Sequence, residues 1–207
     1  AEKTVTEVAE NTLIASGLLE SVPQYQGDIP FDISLLNIKG PKSRIRDIEN
    51  AIKCDAPIRV LLTGPPGTGK TALVHHLAEM HDKAIIRVSA SDVLSKYVGE
   101  SEQQVSELFY RAHREQAILL LDEVDSLLAS RQQLTAQHDV QLVNELLTQL
   151  ECNTQPVFAA TNYAAKLDHA VLRRFDIKLE CTYLSVKQLH KLYKQTLGIR
   201  ALTQSEA

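Results

Sequence analysis

An α/β fold, built on a five-stranded, mostly parallel sheet with helices on both faces, is the architecture this sequence predicts. Two observations predict it. Five short apolar runs, Ile58 to Thr63, Ile85 to Ser89, Ala117 to Leu121, Val157 to Ala160 and Ile177 to Cys181, recur between amphipathic helical stretches. Strand and helix alternating in this way close through right-handed crossovers into a parallel sheet. Ile58 to Thr63 and Ala117 to Leu121 are also rich in β-branched residues and Leu and lack strict apolar-polar alternation, as strands buried on both faces do.

Taken in order, the elements are as follows. Before Pro30, Val5, Val8 and the cluster Leu13, Ile14, Leu18 and Leu19 allow one weak helix, interrupted at Ser16 and Gly17, and Gln24 to Pro30 reads as a linker. A helix is expected from about Lys42 to Lys53, already ended where Pro57 follows. The first buried strand, Ile58 to Thr63, leads through glycines into a helix from Lys70 to about His81. After the second strand, Ser101 and Gln104 form a capping-box pair, and Val105, Leu108, Phe109 and Ala112 follow at helical spacing. Beyond the third strand, Asp139 is expected to cap a helix that carries Val143, Leu146, Leu147 and Leu150 on one face. A last helix, Ser185 to about Leu197, has no strand after it.

The 207 residues suffice for one domain and part of a second at the usual size of about 150 residues per domain. Hydrophobic residues make up 44% and charged residues 23%, which excludes collagen-like and disordered classes. Against 26 acids stand 22 Lys and Arg, a net charge of -4, so nothing suggests binding that rests on counterion release from nucleic acid. The apolar runs fall far short of the roughly 20 residues that a membrane span needs, and the start of the chain lacks the apolar block of a signal peptide. Cys54, Cys152 and Cys181 are too scattered for a disulfide framework or a metal knuckle, which favours reduced thiols and a cytoplasmic location. With Ala1 first and Met80 its sole methionine, the sequence is expected to be a piece of a longer protein.

Directly after the first buried strand stands Gly64-Pro65-Pro66-Gly67-Thr68-Gly69-Lys70-Thr71, which fills the phosphate-loop pattern G-x-x-x-x-G-K-[ST] at every position. Its strand-loop-helix context is the one the mechanism requires. Glycines let backbone N–H groups turn inward to cradle anionic oxygens, and the following helix directs its positive end at them. Lys70 is expected to reach the β- and γ-phosphates and the Thr71 hydroxyl to hold Mg²⁺, with Ala72 closing the run of nucleotide contacts. The third strand delivers Asp122 and Glu123 at its carboxyl end, where open α/β sheets bind ligands. Asp122 is assigned to Mg²⁺ and Glu123 to polarising an attacking water. The fourth strand ends in Thr161-Asn162, and the Asn162 amide there suits both that water and the γ-phosphate.

These residues together resemble the AAA ATPase family. Asp122-Glu123-Val124-Asp125-Ser126-Leu127-Leu128-Ala129-Ser130-Arg131 is similar to the family's extended acidic motif, and Lys96-Tyr97-Val98-Gly99-Glu100-Ser101-Glu102 to its central-pore loop. Ala160-Thr161-Asn162, Leu167-Asp168 and Leu172-Arg173-Arg174-Phe175-Asp176 resemble its second region of homology. The resemblance implies ATP binding and Mg-dependent hydrolysis by a ring, a homo-hexamer in the full-length protein, that remodels or threads a protein substrate. It makes Asn162 a γ-phosphate sensor, Arg173 and Arg174 finger candidates for a neighbouring subunit's site, and Lys96, Tyr97 and Val98 the substrate-gripping loop. Ile38 and Gly40 fall where the family builds its adenine pocket, although Asn37-Ile38-Lys39-Gly40 departs from the common Ile-Gly-Gly. Adjacent arginines, in place of Arg-Pro-Gly-Arg, are similar to the microtubule-severing branch, and the wording from Leu172 to Lys178 to bacterial multidomain AAA proteins. On this reading residues 1–30 are an N-terminal segment, 31–183 the large α/β subdomain and 184–207 the first helix of a truncated helical lid.

Other classes fit less well. A GTPase would need Asp-x-x-Gly and an Asn-Lys-x-Asp base reader, and neither occurs. A DNA-working AAA+ helicase or clamp loader shares the ATP chemistry, and the acidic balance and Tyr97 stand against it. A nucleotide-locked scaffold is disfavoured by Glu123. Zinc lacks a ligand pattern, since His75 and His76 are adjacent and HExxH is absent.

Overall fold

The computed structural model describes residues 31–41, 43–89, 101–125, 137–163 and 167–197. Phe31–Leu184 is one compact unit, and the residues from Ser185 onward belong to another. In the first unit, a 3-10 turn at Ile33–Leu35, capped by the Asp32 side chain, precedes strand β1, Asn37–Lys39. There follow α1 (Ser43–Lys53), β2 (Arg59–Thr63), α2 (Lys70–Met80), β3 (Ile85–Ser89) and α3 (Ser101–Arg114). Next come β4 (Ile118–Asp122), α4 (Gln137–Cys152), β5 (Val157–Thr161), α5 (His169–Leu172) and β6 (Ile177–Thr182). Helix α6, Val186–Leu197, lies in the second unit; Ser185 caps it, with its hydroxyl and backbone N–H both donating to Gln188.

Six strands, not the expected five, form the sheet, in the order β1-β6-β2-β5-β4-β3. The five predicted strands are all present and parallel to one another. The addition, β1, has three residues, too few to print a hydrophobic period. It is held by antiparallel pairing to β6, with Ile38 opposite Cys181, and by the Asn37 amide donating to the Tyr183 carbonyl at 2.7 Å. Helix α4 likewise departs from expectation: it starts at Gln137, so Asp139 is its third residue and not its cap. Nothing in Gln137-His138 halts a helix.

Successive strand residues face two different cores. Leu61, Leu119, Leu121, Val157 and Ala159 pack with Val105, Phe109 and Ala112 of α3 and Leu142, Val143, Leu146, Leu147 and Leu150 of α4. Val60, Leu62, Ile118, Leu120, Phe158 and Ala160 point the other way, against Ile45, Ile48 and Ile52 of α1 and Leu73, Val74 and Leu77 of α2. Both faces must therefore be apolar, which is why these strands read as continuous runs. At about 1.5–3 kcal/mol per fully buried Leu, Ile or Phe, the central strands are the most strongly anchored part of the unit. Helices α1, α2 and α3 end alike: Asp55, Asp82 and Gln116 adopt positive φ, and the next N–H bonds back five residues, to Ala51, Ala78 and Ala112. This Schellman-type stop turns each chain end back towards the sheet.

Candidate nucleotide site

Strands β2, β4 and β5 end side by side because β2 pairs with β5 and β5 with β4. Their carboxyl ends bring three segments together: the loop 64–69, the acids after β4, and Asn162 after β5. Gly64 begins the loop at φ +136, bonded through its N–H to the Thr161 carbonyl at 3.2 Å. A Cβ on it would lie 2.0 Å from the Cys181 carbonyl oxygen, so the loop rests directly on β6. Thr68 braces the loop by donating its hydroxyl to the Pro65 carbonyl at 2.8 Å. Gly69, at φ +86, caps α2 without any side-chain hydrogen bond, which leaves the first N–H groups of the helix to face an anion. The entry segment packs beside it, with Leu36 and Phe31 within 4 Å of the Cβ position of Gly69.

Lys70 is buried to 8% exposure, and its ammonium donates to the Gly64 carbonyl at 2.7 Å, the Pro65 carbonyl at 2.9 Å and Asn162 Oδ1 at 2.8 Å. Burial lowers its pKa, opposed by negative groups that include Asp122 and Asp125. Three acceptors compensate the desolvated charge, and one of them comes from the end of β5. Thr71, the next residue, donates its hydroxyl to Asp122 Oδ2 at 3.3 Å.

The half-buried Asp122 carboxylate has further partners. Arg87 Nη2 of β3 donates to Oδ2 at 2.7 Å, and the Glu123 N–H to Oδ1 at 3.1 Å. Glu123 itself is exposed and sits at φ +56, a left-handed conformation that costs a non-glycine residue about 1–2 kcal/mol. Immediately beyond, Val124 N–H bonds the Ala160 carbonyl at 3.1 Å, and Thr161 donates its hydroxyl to Asp125 at 3.0 Å. These two bonds extend the β4–β5 ladder past the strand ends and fix the acids relative to Asn162.

The chemistry of the donor set suits a hard cation. A hydroxyl and a carboxylate oxygen lie together at a phosphate loop, the arrangement for Mg²⁺, which keeps several waters and takes its other ligands from the substrate. Among the described residues no three His, Cys, Asp or Glu side chains cluster as a cage of their own, so such an ion would rely on phosphate oxygens.

The two arginines behave differently. Asp168 accepts from Ala170 N–H at 2.9 Å and caps the four-residue helix α5, a helix too short for sequence periodicity to disclose. Arg174, after it, donates to Glu151 of α4 at 2.7 Å and to the Ala170 carbonyl at 2.8 Å, whereas the Arg173 side chain is exposed. Asp176 completes this corner through Arg59 at the start of β2, taking Nε at 3.0 Å, Nη2 at 2.9 Å and the backbone N–H at 2.9 Å.

Ile38 is half-buried in β1, across from Cys181, and Gly40 turns the chain at φ +103 with open space around it. Lys96, Tyr97 and Val98 and residues 126–131 of the acidic motif lie outside the described residues. Sequence reasoning missed Arg87; the signal was present as a charge inside the apolar run Ile85-Ile86-Arg87-Val88. Among the described residues no helix is long and apolar enough to cross a membrane.

Comparison with known proteins bears on this geometry. The model of the family described as "ATPase family associated with various cellular activities (AAA)" matches residues 60–183. The chain is 40% identical over 172 residues to a 26S proteasome regulatory subunit 6B homolog of Saccharomyces cerevisiae, covering 78% of this chain and 40% of that protein. It is 40% identical over 146 residues to the Protein SUPPRESSOR OF K(+) TRANSPORT GROWTH DEFECT 1 of Arabidopsis thaliana, covering 67% and 33% respectively. A probable spastin homolog of Caenorhabditis briggsae is 30% identical over 213 aligned positions, covering 90% and 39%. The chain thus spans about two fifths or less of the length of these relatives.

Proposed function

The chain belongs to the AAA family of ATPases, and from that premise we propose that it binds ATP and hydrolyses it with Mg²⁺ as part of a ring that remodels a protein substrate. One observation carries the chemistry: Lys70, Thr71, Asp122 and Asn162 converge through hydrogen bonds of 2.8 Å and 3.3 Å at the carboxyl ends of three adjacent parallel strands. Gly67, Thr68, Gly69 and Ala72 offer the phosphates their backbone N–H groups, Gly64, Pro65 and Pro66, two of which have no N–H, shape the loop around them, and Ile38 and Gly40 flank the base. Lys70 exchanges its Asn162 partner for a phosphate oxygen, which frees Asn162 to orient the attacking water. Thr71 and Asp122 would hold the metal, which would supply charge neutralisation for the transferring phosphoryl group. Glu123 accepts the proton of the attacking water. Arg173 and Arg174 supply a guanidinium to the neighbouring subunit, making turnover depend on assembly, and Lys96, Tyr97 and Val98 form the substrate-gripping loop.

The relatives support the polypeptide substrate: one is named as a regulatory subunit of the 26S proteasome and another as a spastin homolog. On this reading residues 31–183 are the ATPase subdomain, 184–207 begin its lid, and the working unit is a homo-hexamer in the cytoplasm. The test is phosphate release measured against protein concentration in the full-length protein. Specific activity should climb with assembly, and Glu123→Gln should bind ATP, turn over at least a hundredfold more slowly and trap polypeptide. Nucleic acid recovered in place of polypeptide, or activity independent of concentration, refutes the reading.

A further inference from the structure

We propose that Arg87, acting through Asp122, tempers the hold of the nucleotide site on its divalent cation by competing for the Asp122 oxygen that faces Thr71. The inference rests on the ATPase reading of that site. Asp122 Oδ2 has two lone-pair directions, and both are engaged: Thr71 donates to it at 3.3 Å and Arg87 Nη2 at 2.7 Å. The shorter contact is a charge-assisted one, of the kind that is roughly twice as strong as a neutral bond.

Arg87 is not needed to orient the carboxylate. Its Oδ1 is fixed by Glu123 N–H at 3.1 Å, and the backbone is held by the β3–β4 ladder, where Ser89 stands opposite Asp122. What the guanidinium adds is positive charge on the oxygen that a cation would use. A side chain with 57% exposure can swing into solvent, while the carboxylate, at 13%, cannot follow it. A metal arriving beside Thr71 must therefore share Oδ2 with Arg87 or displace it, and Arg87 regains that oxygen as the metal leaves. Such competition favours release of the metal with its product.

The experiment measures binding. A fluorescent ATP analogue is titrated into the full chain in EDTA and at graded Mg²⁺, for the unaltered protein, Arg87→Met and Arg87→Lys. Met keeps the aliphatic stem without the charge; Lys restores the charge without the fork. Arg87→Met should lower the half-saturating Mg²⁺ about two- to fivefold, the effect expected of one largely exposed ion pair. Arg87→Lys should recover most of the original requirement, and affinity in EDTA should move by less than about twofold in either variant. A half-saturating Mg²⁺ that is unchanged or raised in a folded Arg87→Met protein overturns the proposal, as does an Arg87→Lys protein that matches Met. Failure of the unaltered chain to bind the analogue at all would instead overturn the ATPase reading, and this inference with it.

Discussion

Replacing Gly64 by alanine tests how closely the phosphate loop is seated on the sheet. The new Cβ would stand 2.0 Å from the Cys181 carbonyl oxygen. Carbon and oxygen approach to about 3.3 Å at their closest favourable contact, so the loop must lift by about 1.3 Å. Cys181 cannot give way, being fully buried and paired with Ile38 of β1. Overpacking of this kind costs about 1–3 kcal/mol, and φ +136 adds about 1–3 kcal/mol of backbone strain for any residue with a Cβ. The combined loss, about 2–6 kcal/mol, corresponds to a melting temperature about 4–24 °C lower for a unit of this size. Differential scanning fluorimetry reads the shift, and titration with a fluorescent ATP analogue reads the expected loss of affinity. Gly40→Ala is the control, since Gly40 has φ +103 but nothing within 4 Å of its Cβ position; strain alone should cost it about 1–2 kcal/mol. Equal shifts in the two variants, or a Gly64→Ala protein that melts and binds like the original, would refute the reasoning.

Three further outcomes are expected. Burial pushes the Asp176 carboxyl up, but the side-chain and backbone bonds from Arg59 more than offset it, so its folded pKa lies below the ordinary 3.8. The pair therefore stabilises fully above that ordinary value and loses its contribution as pH falls through the lower folded one. Asp176→Asn should cost about 1–2 kcal/mol near neutrality, discounted for partial exposure, and flatten the acid limb of a plot of urea midpoint against pH. Arg174→Ala should lower the melting temperature by about 2–4 °C through loss of the Glu151 and Ala170 bonds, whereas Arg173→Ala should leave it unchanged and abolish the rise of turnover with protein concentration. The opposite pattern would make Arg174 the residue that reaches the neighbour. Glu123→Gly should raise stability by about 1 kcal/mol by relieving the left-handed backbone while phosphate release disappears; a destabilised variant would show that Glu123 is not strained.

Much of this was legible in the sequence because burial on both faces leaves so plain a trace. Val60 to Leu62, Ile118 to Leu121 and Val157 to Ala160 could be read as central strands from composition alone, and the nucleotide loop announced itself through its spacing. Placing Asp122 at the end of a parallel strand and Thr71 at the start of a helix puts the two near one another, whereas the bond from Lys70 to Asn162 was not anticipated. What escaped notice was short or long-range. The three-residue β1 and the four-residue α5 fall below one full period, so no pattern marks them. Arg59 and Asp176 are separated by more than a hundred residues, and only the β2–β6 pairing brings them together. Arg87 was hidden for a different reason: a lone charge in a strand has no partner until the neighbouring strand is known, and its partner lay on β4.

The strand order also sets a timetable. β2, which leads into the phosphate loop, has β5 and β6 as its neighbours, with Arg59 opposite Val157 and Val60 opposite Ile177. Both neighbours are about a hundred residues further along the chain, so the loop's strand waits for partners that a ribosome delivers about a hundred residues later. Gly64 needs the Thr161 carbonyl for its N–H and the Cys181 backbone as its floor, so the cradle takes shape only once β5 and β6 have docked. Nucleotide capture should then mark the end of this unit's folding, and a nascent or truncated chain ending before Ile177 should neither bind nucleotide nor be stabilised by it.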